Sequence, residues 1–68
     1  MRIKELREDH DLTQQQVAAF LHIRQNTYSQ YENGRRQLPL DCLIALAGLY
    51  HTSTDYILGL TCERNPYP

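Results

Sequence analysis

Apolar residues recur along this chain at three- and four-residue spacing, in short runs broken by polar clusters. That spacing predicts amphipathic helices. The first spans 2–10, with Ile3 and Leu6 facing in and Leu12 packing just after it. Arg2, Lys4, Glu5, Arg7 and Glu8 are left to water, with Lys4–Glu8 and Arg7–Asp11 as surface ion pairs of small value. Thr13 stands three residues before Gln16, which is the pattern of a capping box. It opens a second helix over 14–21 that buries Val17, Ala18, Phe20 and Leu21. His22-Ile23-Arg24 is too short and polar for anything but a turn, with Ile23 dropping into the core. A third helix runs 25–33 and is stopped by Gly34. The run after Pro39 is the most apolar: Leu40, Leu43, Ile44, Leu46, Ala47 and Tyr50 predict a fourth helix that forms the spine of the core, with Pro39 in its first turn. Ser53 caps a last short helix with Asp55 in its first turn, and Gly59 ends it. Residues 61–68, TCERNPYP, carry two prolines and little else, so they are expected to be a mobile tail. The chain therefore reads as one all-α domain of five helices over 1–60, followed by that tail.

The third helix departs from an ordinary solvated helix. At about 100° per residue from Gln25, the residues Gln25, Ser29, Asn33, Asn26 and Gln30 occupy the arc from roughly 0° to 140°. Thr27, Tyr31 and Tyr28 fall at roughly 200° to 300°. One face is amide and hydroxyl with no charge; the other holds the aromatics. Such a face is poor in helix propensity compared with Lys and Glu. It suits base edges, because Gln and Asn offer the paired donor and acceptor that adenine presents in the major groove.

These residues carry a resemblance. Leu12-Thr13-Gln14, Val17-Ala18, Tyr28, Tyr31 and Glu32-Asn33-Gly34 followed by Arg35-Arg36 are similar to the Cro and phage-repressor type of helix-turn-helix, the XRE family. Leu43, Leu46-Ala47 and Ser53-Thr54-Asp55-Tyr56-Ile57-Leu58-Gly59 continue the match, which covers about residues 3–60. The resemblance implies a compact lambda-repressor-like bundle around a central helix-turn-helix. It implies that the second helix braces across the DNA backbone and the third enters the major groove. Gln25, Asn26, Ser29 and Gln30 are then the candidates for base contacts. Gln14 matches the position at which the family clamps a phosphate, and Arg24, Asn33, Arg35 and Arg36 would hold the backbone on the other side. The family favours glycine where Asp11 and His22 stand; if that backbone is left-handed, His22 costs on the order of 1 kcal/mol. Arg24 replaces a Ser or Thr cap and cannot accept the cap hydrogen bond. Tyr28 and Tyr31 are core residues first.

Charge sharpens the picture. The chain has 68 residues and a net charge of −1, which by itself is unlike a nucleic-acid binder. Residues 24–36 nevertheless carry Arg24, Arg35 and Arg36 against Glu32, while the acidic excess lies on either side. Positive charge collects where phosphates would be, and the acidic remainder should weaken non-specific binding. Two cysteines, Cys42 and Cys62, make no disulfide framework; Cys42 reads as a small buried hydrophobe. Three scattered histidines and two distant cysteines lack the ligand spacing of zinc, and no metal or cofactor is expected. No apolar run spans a membrane and no signal peptide is visible, so the expected place is the cytoplasm.

The expected function is sequence-specific binding of double-stranded DNA in transcriptional regulation, with repression the first expectation. One small domain offers few contacts, so a homodimer on a two-fold operator is the expected form. Tyr56, Ile57, Leu58 and Leu60 offer its interface, and some of that apolar area could equally close the core. The alternative is an antitoxin or antagonist module that uses the same fold mainly to hold a protein partner. An enzyme is not expected, since no nucleophile–base pair, phosphate loop or metal cluster is present.

Overall fold

The computed structural model describes residues 1–65, so Pro66, Tyr67 and Pro68 of the expected tail lie outside the described residues. Five helices follow one another, α1 (Ile3–Asp9), α2 (Gln14–Phe20), α3 (Gln25–Glu32), α4 (Leu40–Leu49) and α5 (Thr54–Leu58), with no strand among the described residues. Every predicted helix is present, and each differs from its expected bounds by about a residue at an end, as fraying termini do. Two start as their caps dictate. The Thr13 hydroxyl accepts from the Gln16 N–H at 3.1 Å while Gln16 Oε1 accepts from the Thr13 N–H at 2.8 Å. The Ser53 hydroxyl accepts from the Tyr56 N–H at 3.0 Å. Pro39 is the N-cap of α4, not a residue of its first turn, at φ −62 and ψ 151. The residue after an N-cap begins the helix, so proline's fixed φ serves there without entering the helix.

All five helices end in the same way. A residue with positive φ reverses the chain after each: Asp11 (56°), His22 (58°), Gly34 (75°), His51 (51°) and Gly59 (84°). Two backbone hydrogen bonds close every turn, the inner from that residue and the outer from the next. After α1 they are Asp11 N–H to Glu8 O at 3.0 Å and Leu12 N–H to Arg7 O at 3.1 Å. After α2, Ile23 N–H reaches Ala18 O at 3.0 Å; after α3, Arg35 N–H reaches Gln30 O at 2.9 Å. This is the Schellman arrangement, which satisfies carbonyls that a helix end leaves orphaned. The backbone is left-handed at both Asp11 and His22, so the condition set for the cost at His22 is met. His51 is a third such residue, and its sequence context gave no warning of it.

The core gathers Ile3, Leu6, Val17, Ala18, Tyr28, Tyr31, Leu38, Cys42, Leu43, Leu46, Tyr50 and Ile57, with Leu12, Leu21 and Ile23 packed against it. Three expected members are not in it: Phe20 is 46% exposed, Leu40 70% and Ile44 57%. The helical wheel explains two of these, Phe20 and Ile44. Val17, Leu21 and Ala18 centre the inward face of α2, and Phe20 lies about 110° away from that centre. On α4, Leu43, Leu46 and Tyr50 set the inward direction, and Ile44 lies about 120° from it. Ile57 is a correction of the opposite kind. It has no exposed surface, and so belongs to the core and not to a dimer interface. Arg2 is half-buried, not wet: its N–H donates to Ile57 O, its guanidinium donates to Thr61 O at 2.8 Å, and its carbon lies 4.2 Å from the Tyr56 ring centre. Within the expected tail, the Thr52 hydroxyl donates to Arg64 O at 2.6 Å, and Arg64 pairs with Asp9 at 3.1 Å.

His22→Gly is expected to stabilise the domain. An L-residue held left-handed costs about 1–2 kcal/mol, and glycine's extra freedom when unfolded returns part of that, leaving about 1 kcal/mol. For a domain this small the midpoint should rise by about 4–8 °C in a thermal melt. A melt that does not move, or moves down, would show that the His22 turn is not strained.

Candidate nucleic-acid interface

The α2 and α3 helices with their His22 turn form the helix-turn-helix. Tyr28 and Tyr31 anchor α3 from within, at 0% and 6% exposure, so the opposite face must point out. On that face Gln25, Asn26 and Asn33 are exposed and Ser29 and Gln30 half-buried. Asn33 Nδ2 approaches the Ser29 hydroxyl at 3.5 Å, the long limit of a hydrogen bond. The side-chain amides of Gln25, Asn26 and Gln30 make no hydrogen bond among the described residues, so their donors and acceptors are available to an outside partner. All four sequence-predicted base-reading residues therefore share one open face.

The expected backbone contacts surround it. Arg24 is the N-cap of α3 and supplies no side-chain cap, as its chemistry requires. Arg35 and Arg36 are exposed and leave the far end of α3, where both of their N–H groups converge on the Gln30 carbonyl, at 2.9 and 3.3 Å. That carbonyl fixes the backbone from which the two arginine side chains leave. The hydroxyl of Tyr28 is buried without a hydrogen-bond partner, so it is not available to a phosphate.

Behind the face lies an ion pair that the surface reading of Arg7 missed. Arg7 does not pair with Asp11. Its Nε donates to Glu32 Oε2 at 2.7 Å, its Nη2 reaches Oε1 at 3.3 Å, and its Nη1 donates to Leu12 O at 2.8 Å. Gln14 Nε2 completes the carboxylate's shell at 3.1 Å. The Glu32 side chain is 2% exposed and the Arg7 side chain 13%. Burial pushes the Glu32 carboxyl upward, but the Arg7 guanidinium, the neighbouring Tyr28 phenol and the Gln14 amide together outweigh it and hold the group below its ordinary value. Burial also pushes the Tyr28 phenol well up, so it stays protonated beside this carboxylate. The wheel gave no clear signal for this pair: Glu32 falls at about 340°, between buried Tyr28 and exposed Gln25, so its burial is set by the neighbouring helices. Two consequences follow for the face. Gln14 is held by one amide N–H and keeps the other free, since a carboxamide has two donors. Glu32 no longer offsets the arginines, so Arg24, Arg35 and Arg36 stand unopposed around α3.

No group of three or more His, Cys, Asp or Glu residues that could hold a metal ion occurs among the described residues. No described helix is long and apolar enough to cross a membrane.

The chain belongs to the helix-turn-helix family, of XRE type, whose pattern it matches over residues 3–57. It is similar to the uncharacterized HTH-type transcriptional regulator YobD of Bacillus subtilis (strain 168), with 45% identity over 96% of this chain and 58% of that protein. It is 43% identical to the HTH-type transcriptional regulator ImmR of the same organism, over 85% of this chain and 46% of that protein. It is 34% identical to the antitoxin PezA of Streptococcus pneumoniae serotype 4, over 94% of this chain and 40% of that protein. The chain spans about half the length of the curated relatives it matches. No solved structure matches it significantly.

Glu32→Gln should cost about 3–5 kcal/mol, because it leaves the Arg7 charge buried without its counter-ion. The pH dependence has a fixed sign. A carboxyl held below its ordinary value of about 4.5 stabilises the fold fully above that pH, and the contribution is lost as pH falls through the folded value. Urea unfolding at a series of pH values should show the wild type losing stability below about pH 4.5 more steeply than the variant. Parallel profiles would mean that the pair does not govern acid stability.

Proposed function

We propose that this chain is a sequence-specific double-stranded DNA-binding domain of a transcriptional regulator acting in the cytoplasm, with residues 1–60 as the binding unit. The observation that carries the proposal is the outward face of α3: five uncharged amide and hydroxyl side chains in one arc, with three unopposed guanidiniums around it. Gln25, Asn26, Ser29 and Gln30 read base edges in the major groove. Gln14, Arg24, Asn33, Arg35 and Arg36 hold phosphates and set the register. Repression follows where the operator overlaps a promoter. No catalytic role enters the proposal.

The domain binds as a homodimer on a two-fold operator, with half-sites about 34–36 Å apart. Its contact is the exposed end of α5, where Leu58 is 44% exposed and Leu60 74%, with Tyr56 at the edge. Leu60→Glu should leave the thermal melt unchanged and yield a monomer in sedimentation velocity. A wild type that stays monomeric at high concentration, both free and on its operator, would remove the dimer.

A second reading, an antitoxin or antagonist module that holds a protein partner, is favoured by the exposed Leu40 and Ile44, which DNA contact does not use. The relative that is named an antitoxin is consistent with it. Binding titrations on operator and random duplex separate the two readings. Gln25→Ala should lose roughly 5- to 150-fold on the operator, the span of one bidentate base contact, and little on random DNA. The double variant Arg35→Ala, Arg36→Ala should weaken both equally and lower the salt slope by about 1 per lost phosphate contact. Equal losses for Gln25→Ala on both duplexes would make α3 a backbone clamp. No loss on either would transfer the function to the protein-partner reading.

A further inference from the structure

A groove of about 590 Å³ lies between the loop that leaves α3, the start of α4 and the end of α5. Met1, Leu40, Leu43 and Leu58 supply apolar walls, and Arg35 and Arg36 stand in its lining with no carboxylate among the residues that form it. Neither arginine side chain has an ionic partner among the described residues. The apolar surface does not stop at the groove. On α4 it runs one turn on from Leu40 to Ile44, which are 70% and 57% exposed, and residues four apart on a helix are neighbours. An elongated apolar stripe beside two unpaired guanidiniums is complementary to one kind of ligand, an amphipathic chain segment with apolar side chains on one face and carboxylates beside them. A second copy of this chain fits the groove poorly. A two-fold contact sets the same patch against itself, and would bring four guanidiniums together with no lining carboxylate between them.

We propose that this groove is the docking site of an acidic amphipathic segment of a partner protein, and that docking and DNA binding exclude one another because both draw on Arg35 and Arg36. The proposal rests on the phosphate role given above to these two arginines. Carboxylates placed on them would take the positions that phosphate oxygens need, so a docked segment releases the duplex without touching the base-reading face. Leu58 also belongs to the proposed dimer contact, so the segment competes with the second copy as well.

The test is selection of a random peptide display library on the wild-type chain, followed by titration of the best peptide. Enriched peptides should carry Asp or Glu beside Leu, Ile or Phe at three- or four-residue spacing. Their affinity should fall about tenfold for Arg35→Ala with Arg36→Ala, as two exposed charge pairs at up to about 1 kcal/mol each allow. Leu40→Gln should lower it independently, and both variants should melt like the wild type because the side chains are exposed. Added to a complex of the wild type with labelled random-sequence duplex at low salt, the peptide should free the duplex in proportion to its own binding. Peptides without acidic bias, or peptides indifferent to Leu40→Gln, would overturn the docking site. Acidic peptides that occupy the groove while the duplex stays bound would overturn the exclusion. A wild type that binds no duplex at all would defeat the phosphate reading and the exclusion with it, and the two variants would still decide the docking site alone.

Discussion

The carboxylate of Glu32 is the point on which the first three helices meet. It receives Arg7 from α1 and Gln14 from α2 while sitting at the last residue of α3. Arg7 then extends the tie to the Leu12 carbonyl, in the turn between α1 and α2. A charge buried to this degree is tolerated only if nearly every lone pair and proton finds a partner, and here the partners come from three separate elements. The pair therefore holds the angle at which α3 leaves α2. The polar face of α3 has a fixed direction because two tyrosines hold the opposite face in the core and the Glu32 carboxylate ties the last residue of the helix to α1 and α2.

The helix ends make the second constraint. Helices of five to ten residues cannot hold their shape by propensity alone, and their orphaned carbonyls are a large share of their backbone groups. Each is closed by a left-handed residue and two hydrogen bonds, and the residue that follows is thrown in a set direction. After α1 and α2 that residue is Leu12 or Ile23, and it packs against the core. After α3 it is Arg35, and it points to solvent. One local device thus seats core side chains in two places and aims a cation in a third.

Net charge is a poor guide to this molecule because charges are spent unequally. Arg7 and Glu32 cancel in the interior and Arg64 meets Asp9 on the surface, at 3.1 Å. What remains around α3 is more positive than the sequence sum over 24–36 indicates. Two of these arginines, Arg35 and Arg36, also line the apolar groove, so one patch of charge serves two neighbouring surfaces.

The sequence by itself determined what is local. Helix positions, the Thr13 and Ser53 caps, the left-handed turns at Asp11, His22, Gly34 and Gly59 and the uncharged arc of α3 all depend on residues within a single helix or its adjoining turn. The bases of the candidate interface were legible for the same reason, since a helix wheel needs only its own helix. What sequence reading could not reach depends on distance. Arg7 and Glu32 are 25 positions apart, and nothing near Arg7 distinguishes it from a solvated arginine beside Asp11. Phe20, Leu40 and Ile44 look like core residues in composition, and Ile57 could serve an interface or the core; which was which depended on where neighbouring helices lay. Burial is a property of the assembled fold, and only the tertiary structure decided it.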